Sequence, residues 1–265
     1  MTCPVLQRRR FPTIGIWVFY FAVILTSARL ISAQPIPVPA GEASIKPPSI
    51  VIGFVGGFIA HDNPVHSEVQ LAARLRKEYP VGVTVETYES YRGEKARLDI
   101  LQLLDANHDG NLTTEEKQNA RIVIYGHSWG AAESIYLARA LEKDGIPVLL
   151  TIQVDSIAGP RKDDTTIPAN VGQAANFYQT HGLLQGHHDI HAADPARTRI
   201  VGNYQFDYGK SDLKCSEYPW YDRLLVKSHT QIECDPVIWN QIESLIRTNL
   251  PSPPQSEPAQ PKEIR

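Results

Sequence analysis

"RIVIYGHSWGAAESIYLARALEKDG", Arg121 to Gly145, decides the fold of this chain. It opens with "RIVIYG" (Arg121–Gly126), a short apolar run rich in β-branched residues, as a buried strand shows. It closes with "AAESIYLARALEKDG" (Ala131–Gly145), a helical segment ended by glycine. Only "GHSWG" (Gly126–Gly130) joins the two, so the turn between strand and helix is tight. A side chain at position 126 or 130 would crowd the adjoining strand or helix, and glycine removes that crowding. Ser128 then stands at the apex, with its hydroxyl at the carboxyl edge of the sheet.

Outward from this stretch, strands and helices alternate. "SIVIGFV" (Ser49–Val55), "VGVTVETY" (Val81–Tyr88) and "PVLLTIQVD" (Pro147–Asp155) read as strands, and further strands are expected near Ala174–Gln179 and Thr198–Phe206. "SEVQLAARLRKEY" (Ser67–Tyr79) places Val69, Leu71, Ala72 and Leu75 on one side of a helix, with Ser67 as a candidate N-cap. Gly93–Leu104 and Asp235–Leu250 also carry helical periodicity. Such alternation predicts an α/β fold with a mostly parallel central sheet and helices on both faces. Ligands of such sheets bind beyond the carboxyl ends of the strands.

The folded domain is expected over residues 49–250. Before it, Arg8, Arg9 and Arg10 precede the apolar run Ile14–Leu25, and small residues follow. That order reads as a secretory signal over residues 1–33, cut after Ala33 or Ala28. The run is shorter than a membrane span requires, so an uncleaved leader is the one membrane attachment the sequence offers. Residues 34–48 form a proline-rich linker, and residues 251–265 a proline-rich, polar tail expected to be disordered. The whole chain has 265 residues, 42% of them hydrophobic, enough for one sizeable core. Loss of the leader removes four arginines and no acid, so the formal net charge goes from −3 to −7. An acidic exported protein without a basic patch is not a nucleic-acid binder. Cys215 and Cys234 remain as an even pair in an oxidising compartment and are candidates for a disulfide.

G-x-S-x-G alone is a short pattern that recurs by chance; its setting between a strand and a helix gives it weight. With that setting, the sequence resembles the α/β-hydrolase superfamily over nearly all of residues 49–250, nearest its lipase-like and thioesterase-like members. The resemblance implies a serine hydrolase acting on an ester or thioester, with a small-molecule or lipid-like acyl substrate and no organic cofactor. It implies the order nucleophile, acid, histidine. Ser128 is then the nucleophile and His229, in a loop before the last helix, the base. The acid is Asp155, at the end of the strand after the serine strand, or Asp207 one strand later. The N–H of Trp129 supplies half of an oxyanion hole, and the N–H of Phe58 or Gly57, in the glycine loop after the first strand, supplies the other half. Two rivals share this scaffold: a catalytically silent calcium-binding or interaction protein, and a serine peptidase.

"DANHDGNLTTEE", Asp105 to Glu116, fits the pattern of a calcium loop without a gap. It resembles an EF-hand loop. Asp105, Asn107 and Asp109 would offer side chains and Asn111 its carbonyl. Thr113 would offer a side chain or a bridging water, and Glu116 would close the site. The same residues also spell a capping box, Thr113 with Glu116. The following helix is short and no second loop pairs with this one, so calcium here is expected as a structural brace, at the amino end of the serine strand. Finally, His181, His187, His188, Asp189 and His191 crowd one segment. It reads as a metal site or as a polar loop over the active site. Its glycines and lack of period favour the loop.

Overall fold

The computed structural model describes residues 48–254. The expected leader, the expected linker up to residue 47 and the tail from residue 255 lie outside the described residues. The elements run β1 (Ser49–Val55), α1 (Ser67–Glu78), β2 (Val83–Glu89), α2 (Gly93–Leu104), α3 (Thr114–Gln118), β3 (Arg121–His127), α4 (Trp129–Lys143) and β4 (Val148–Val154). They continue with β5 (Thr166–Ile167), β6 (Val171–Gln179), β7 (His191–Ala192), β8 (Arg199–Phe206), α5 (Trp220–Leu225), α6 (Lys227–Cys234) and α7 (Pro236–Asn249). Six strands form one sheet in the order β2-β1-β3-β4-β6-β8, and every neighbouring pair is parallel. β5 and β7 pair as a separate two-stranded ribbon. Among the described residues, no helix is long and apolar enough to cross a membrane.

The near-continuous apolar runs of the central strands follow from burial on both faces. Ile50, Ile52 and Phe54 of β1 pack with Ile100 and Leu104 of α2 and Ile135 of α4. Val51, Val123 and Tyr125 face the other way, against Leu71 and Leu75 of α1 and Trp239 and Ile242 of α7. The expected helix α1 forms, but Ser67 is its first residue rather than its cap. His66 takes the cap position with no side-chain cap bond, because its ring turns inward.

Parallel register sets the height of the functional edge. His127 pairs with Val154, so the residues that follow each, Ser128 and Asp155, emerge side by side. The Ser128 N–H donates to the Val154 carbonyl at 2.9 Å. The main departure from expectation lies after β8. The segment before the last helix is not a bare loop: α5 and α6 are two short helices, and His229 sits within α6. Too short for a clear period, they are held by contacts beyond each helix, Ile232 packing in the core with α7 and Thr230 Oγ1 donating to the Asp222 carbonyl of α5. A Cys215–Cys234 disulfide ties the end of α6 to the segment before α5. Cys215→Ser with Cys234→Ser is expected to cost about 3 kcal/mol, a fall in Tm of roughly 6–12 °C, checked by thermal unfolding under non-reducing conditions.

Candidate active site

Ser128 occupies a backbone conformation that L-residues avoid, with φ 56° and ψ −124°. The glycines around it make the turn sterically feasible. A Cβ on Gly130 would lie 2.3 Å from the Phe54 carbonyl oxygen, so α4 starts in direct backbone contact with β1. A Cβ on Gly126 would lie 2.5 Å from the Gly130 carbonyl. Trp129 is the first residue of α4, so its N–H belongs to the first turn, where helical N–H groups have no partner within the helix.

Asp155 follows β4 and is also held at positive φ, 43°. Its carboxylate is fully buried and well supplied with donors. Oδ1 accepts from the Gly186 N–H at 2.7 Å, and Oδ2 accepts from the Gln179 Nε2 at 2.9 Å. The His229 Nδ1 lies 2.6 Å from Oδ2. A buried carboxylate fixed by this many donors holds an imidazole in one tautomer and orientation. Asp207, the alternative acid, is 71% exposed in its side chain and pairs with the surface residue His181 at 2.6 Å. The structure therefore joins His229 to Asp155 and leaves Asp207 outside.

Ser128 and His229 line one cavity of about 290 Å³, together with Gly57, Trp129, Leu184 and Val226. Gly56 abuts the nucleophile turn, since a Cβ there would lie 3.1 Å from the Ser128 Cβ. Phe58 points outward, 84% exposed, and packs edge-on against Trp129 at 5.3 Å between ring centroids. Exposed apolar side chains gather near this mouth. Leu183 neighbours the lining residue Leu184, and Trp220, Tyr221, Leu224 and Leu225 lie on the helix just before Val226.

The chain has an α/β fold, a six-stranded parallel sheet flanked by helices. No protein-family model matches it, and no curated protein matches its sequence. It is similar in structure, at low identity, to RedJ, a thioesterase from the prodiginine biosynthetic pathway in Streptomyces coelicolor (13% identity, 76% of this chain and 98% of that one, TM-score 0.35). A cutinase-like protein from Cryptococcus sp. has 11% identity, 78% and 96% coverage and a TM-score of 0.39. A thermostable esterase from Pseudomonas putida ECU1011 has 11% identity, 76% and 74% coverage and a TM-score of 0.41.

The calcium-like loop sits where expected, between α2 and β3, at the amino end of the serine strand. It is wound by its own acids. Asp105 accepts from the Asp109 and Gly110 N–H groups, Asn107 Oδ1 also accepts from the Asp109 N–H, and Asp109 Oδ1 accepts from the Asn111 N–H. Gly110 provides the turn at φ 81°. Glu116 closes a capping box with Thr113 and also accepts from the Ala106 N–H, so the cap and the calcium reading share one side chain. The histidines of 181–191 are spread among separate partners: His181 on Asp207, His187 on Asp164, His188 stacked on Tyr178 and His191 near Thr166.

One cluster has no counterpart in the sequence analysis. His66, Glu68 and Glu233 are buried and bring one donor atom each within 4.8 Å of one another. Among the described residues this is the trio of metal-type side chains drawn so close, and the acids of the 105–116 loop are not. Burial, with Glu233 beside it, holds the Glu68 carboxyl well above the ordinary carboxylate range. Burial lifts Glu233 to about 8. Burial, with His229 and His66 adding to it, holds His127 well below its ordinary value. The signal for this cluster was in α1: Glu68 stands three, four and seven residues before Leu71, Ala72 and Leu75, on the apolar face of its helix.

Gly186 was likewise missed. A Cβ there would lie 2.3 Å from the Asp155 carbonyl carbon, beside the N–H that holds the carboxylate. Gly186→Ala is expected to destabilise the fold by about 1–3 kcal/mol, read as a lower midpoint in urea at unchanged slope.

Proposed function

We infer that this protein is an exported serine hydrolase that cleaves an ester or thioester with an apolar acyl group. One observation carries the inference: Ser128, at a strained strand-to-helix turn, shares a cavity with His229, whose Nδ1 is bonded to the buried Asp155. A serine hydroxyl needs such a base to become a nucleophile. In the reaction, the Nε2 of His229 takes the Ser128 proton as Oγ attacks the carbonyl carbon. The oxyanion lies against the Trp129 N–H and an N–H of the Gly57–Phe58 turn. The tetrahedral intermediate collapses as the imidazolium protonates the departing alcohol or thiol. Water, deprotonated by the same imidazole, then attacks the acyl-enzyme and releases the acid. Asp155 orients the imidazole and stabilises the imidazolium.

The apolar residues around the mouth support an apolar acyl chain over a polar or peptide substrate. In a panel of p-nitrophenyl esters of graded length, kcat/KM is expected to rise from acetate to medium-chain acyl groups. Faster turnover of peptide substrates than of any ester would establish a peptidase instead. A fluorophosphonate probe is expected to modify wild-type protein at Ser128 and to leave folded Ser128→Ala unmodified. Failure of folded wild type to react would indicate a silent scaffold. Asp155→Asn is expected to lower kcat by about 10⁴-fold, and Asp207→Asn to leave it essentially unchanged.

We further infer that the 105–116 loop takes a structural calcium ion. Its donors are all oxygen, which suits a hard cation, and Asp105, Asn107, Asp109, the Asn111 carbonyl and Glu116 would hold it. The ion would supply charge neutralisation and stiffness at the end of the sheet remote from Ser128. Calcium added after chelation is expected to raise Tm in wild type and not in Glu116→Gln. An unchanged Tm in wild type would remove calcium from the account.

A further inference from the structure

We propose that His66, Glu68, His127 and Glu233 form a site for one divalent transition-metal ion of the zinc type, buried behind the nucleophile turn. Three elements supply the donors: His66 and Glu68 at the start of α1, His127 at the end of β3 and Glu233 near the end of α6. The His66 Nδ1 lies 2.5 Å from the Glu233 Oε1. The His127 Nδ1 lies 3.3 Å from the Glu233 Oε2 and 3.9 Å from the Glu68 Oε1. A four-coordinate zinc with bonds of about 2.0–2.2 Å sets its ligand atoms about 3.3–3.6 Å apart. His66, Glu68 and Glu233 already bring donor atoms within 4.8 Å of one another, and His127, outside that trio, must swing in by side-chain rotation to complete the set.

Unmet bonding capacity points to a ligand. Glu68 is 0% exposed; its carboxyl faces that of Glu233, and neither of its oxygens makes a hydrogen bond of good geometry. Both ring nitrogens of His127 lack one as well, and its contact with Glu233 is not in hydrogen-bonding geometry. Buried polar groups in folded proteins are normally satisfied, as Asp155 is. A divalent cation satisfies all four side chains and cancels the two carboxylate charges. Two imidazoles with two carboxylates suit zinc, whereas calcium takes six to eight oxygens. His66, His127 and Glu233 also line the cavity of Ser128, which gives an ion a way in.

The site is placed to brace the catalytic geometry. His127 immediately precedes Ser128, and its ring lies against that of His229, 4.4 Å between centroids. One ion would bind α1, the serine strand and the histidine helix together. The proposal stands independently of the serine-hydrolase reading, because its test measures metal.

Full-length protein is stripped with a chelator, dialysed, and titrated with zinc. Mass spectrometry of the metal content is expected to show one tightly held ion per chain, with a rise in Tm of several degrees. Cobalt in place of zinc is expected to give the intense visible absorption of a four-coordinate ion. Glu68→Gln with Glu233→Gln, nearly isosteric, is expected to fold and to bind zinc about 100-fold more weakly or worse, without the rise in Tm. Zinc held by the 105–116 loop or by residues 181–191 would persist in that variant. Equal uptake by wild type and variant, or no uptake by wild type, overturns the proposal. Should the double variant fail to fold, the cobalt spectrum of wild type decides: weak absorption of a six-coordinate ion, or none, overturns it equally.

Discussion

The backbone of Ser128 is held where a serine would not rest alone, and much of the molecule is arranged to hold it there. A residue at φ 56° and ψ −124° costs on the order of 1–3 kcal/mol and persists only when its surroundings over-determine it. On one side is β3, hydrogen-bonded to β1 and β4 along its length. On the other is α4, whose first turn meets the β1 carbonyls at Gly130. The Ser128 carbonyl accepts from the Ala131, Ala132 and Ile157 N–H groups, so the strained peptide is anchored toward both the helix and the next strand's loop. Burial of the strands on both faces provides the rigidity, and the hydroxyl is presented as a consequence.

Two kinds of buried polarity surround that turn, and the contrast between them is informative. Asp155 has donors from Gln179, Gly186 and His229, so its carboxylate is held in place. Glu68 has only the Glu233 carboxyl beside it, although it is equally buried. Desolvating a carboxylate without partners is costly, and proteins answer it by protonation or by a counter-ion. The first carboxylate orients a base. The second, beside Glu233 and two imidazoles, has the chemistry of a cation site rather than of a catalytic acid.

Much of the fold was legible because the central strands are short, apolar and separated by helices of clear period. Ser128 was legible for a local reason: its glycines, strand and helix are contiguous. His229 could be located along the chain, but its setting in α6 could not, because α5 and α6 carry six and eight residues and take their stability from the disulfide and the core. The choice between Asp155 and Asp207 was open for the same reason. Both are aspartates just past a strand, and only the register of β3 against β4 shows which one stands next to Ser128.

What the sequence determined by itself is whatever depends on neighbours along the chain. That covers the alternation that makes a parallel sheet, the tight turn at 126–130, the capping box at Thr113 and the even cysteine pair. The tertiary structure alone decided whatever depends on residues far apart: the 74-residue span between Asp155 and His229, and the 167-residue span between His66 and Glu233. Periodicity reports which face of an element is buried. It does not report what waits on the other side of that face, and for the charged residue Glu68 on an apolar helix face, that was the deciding fact.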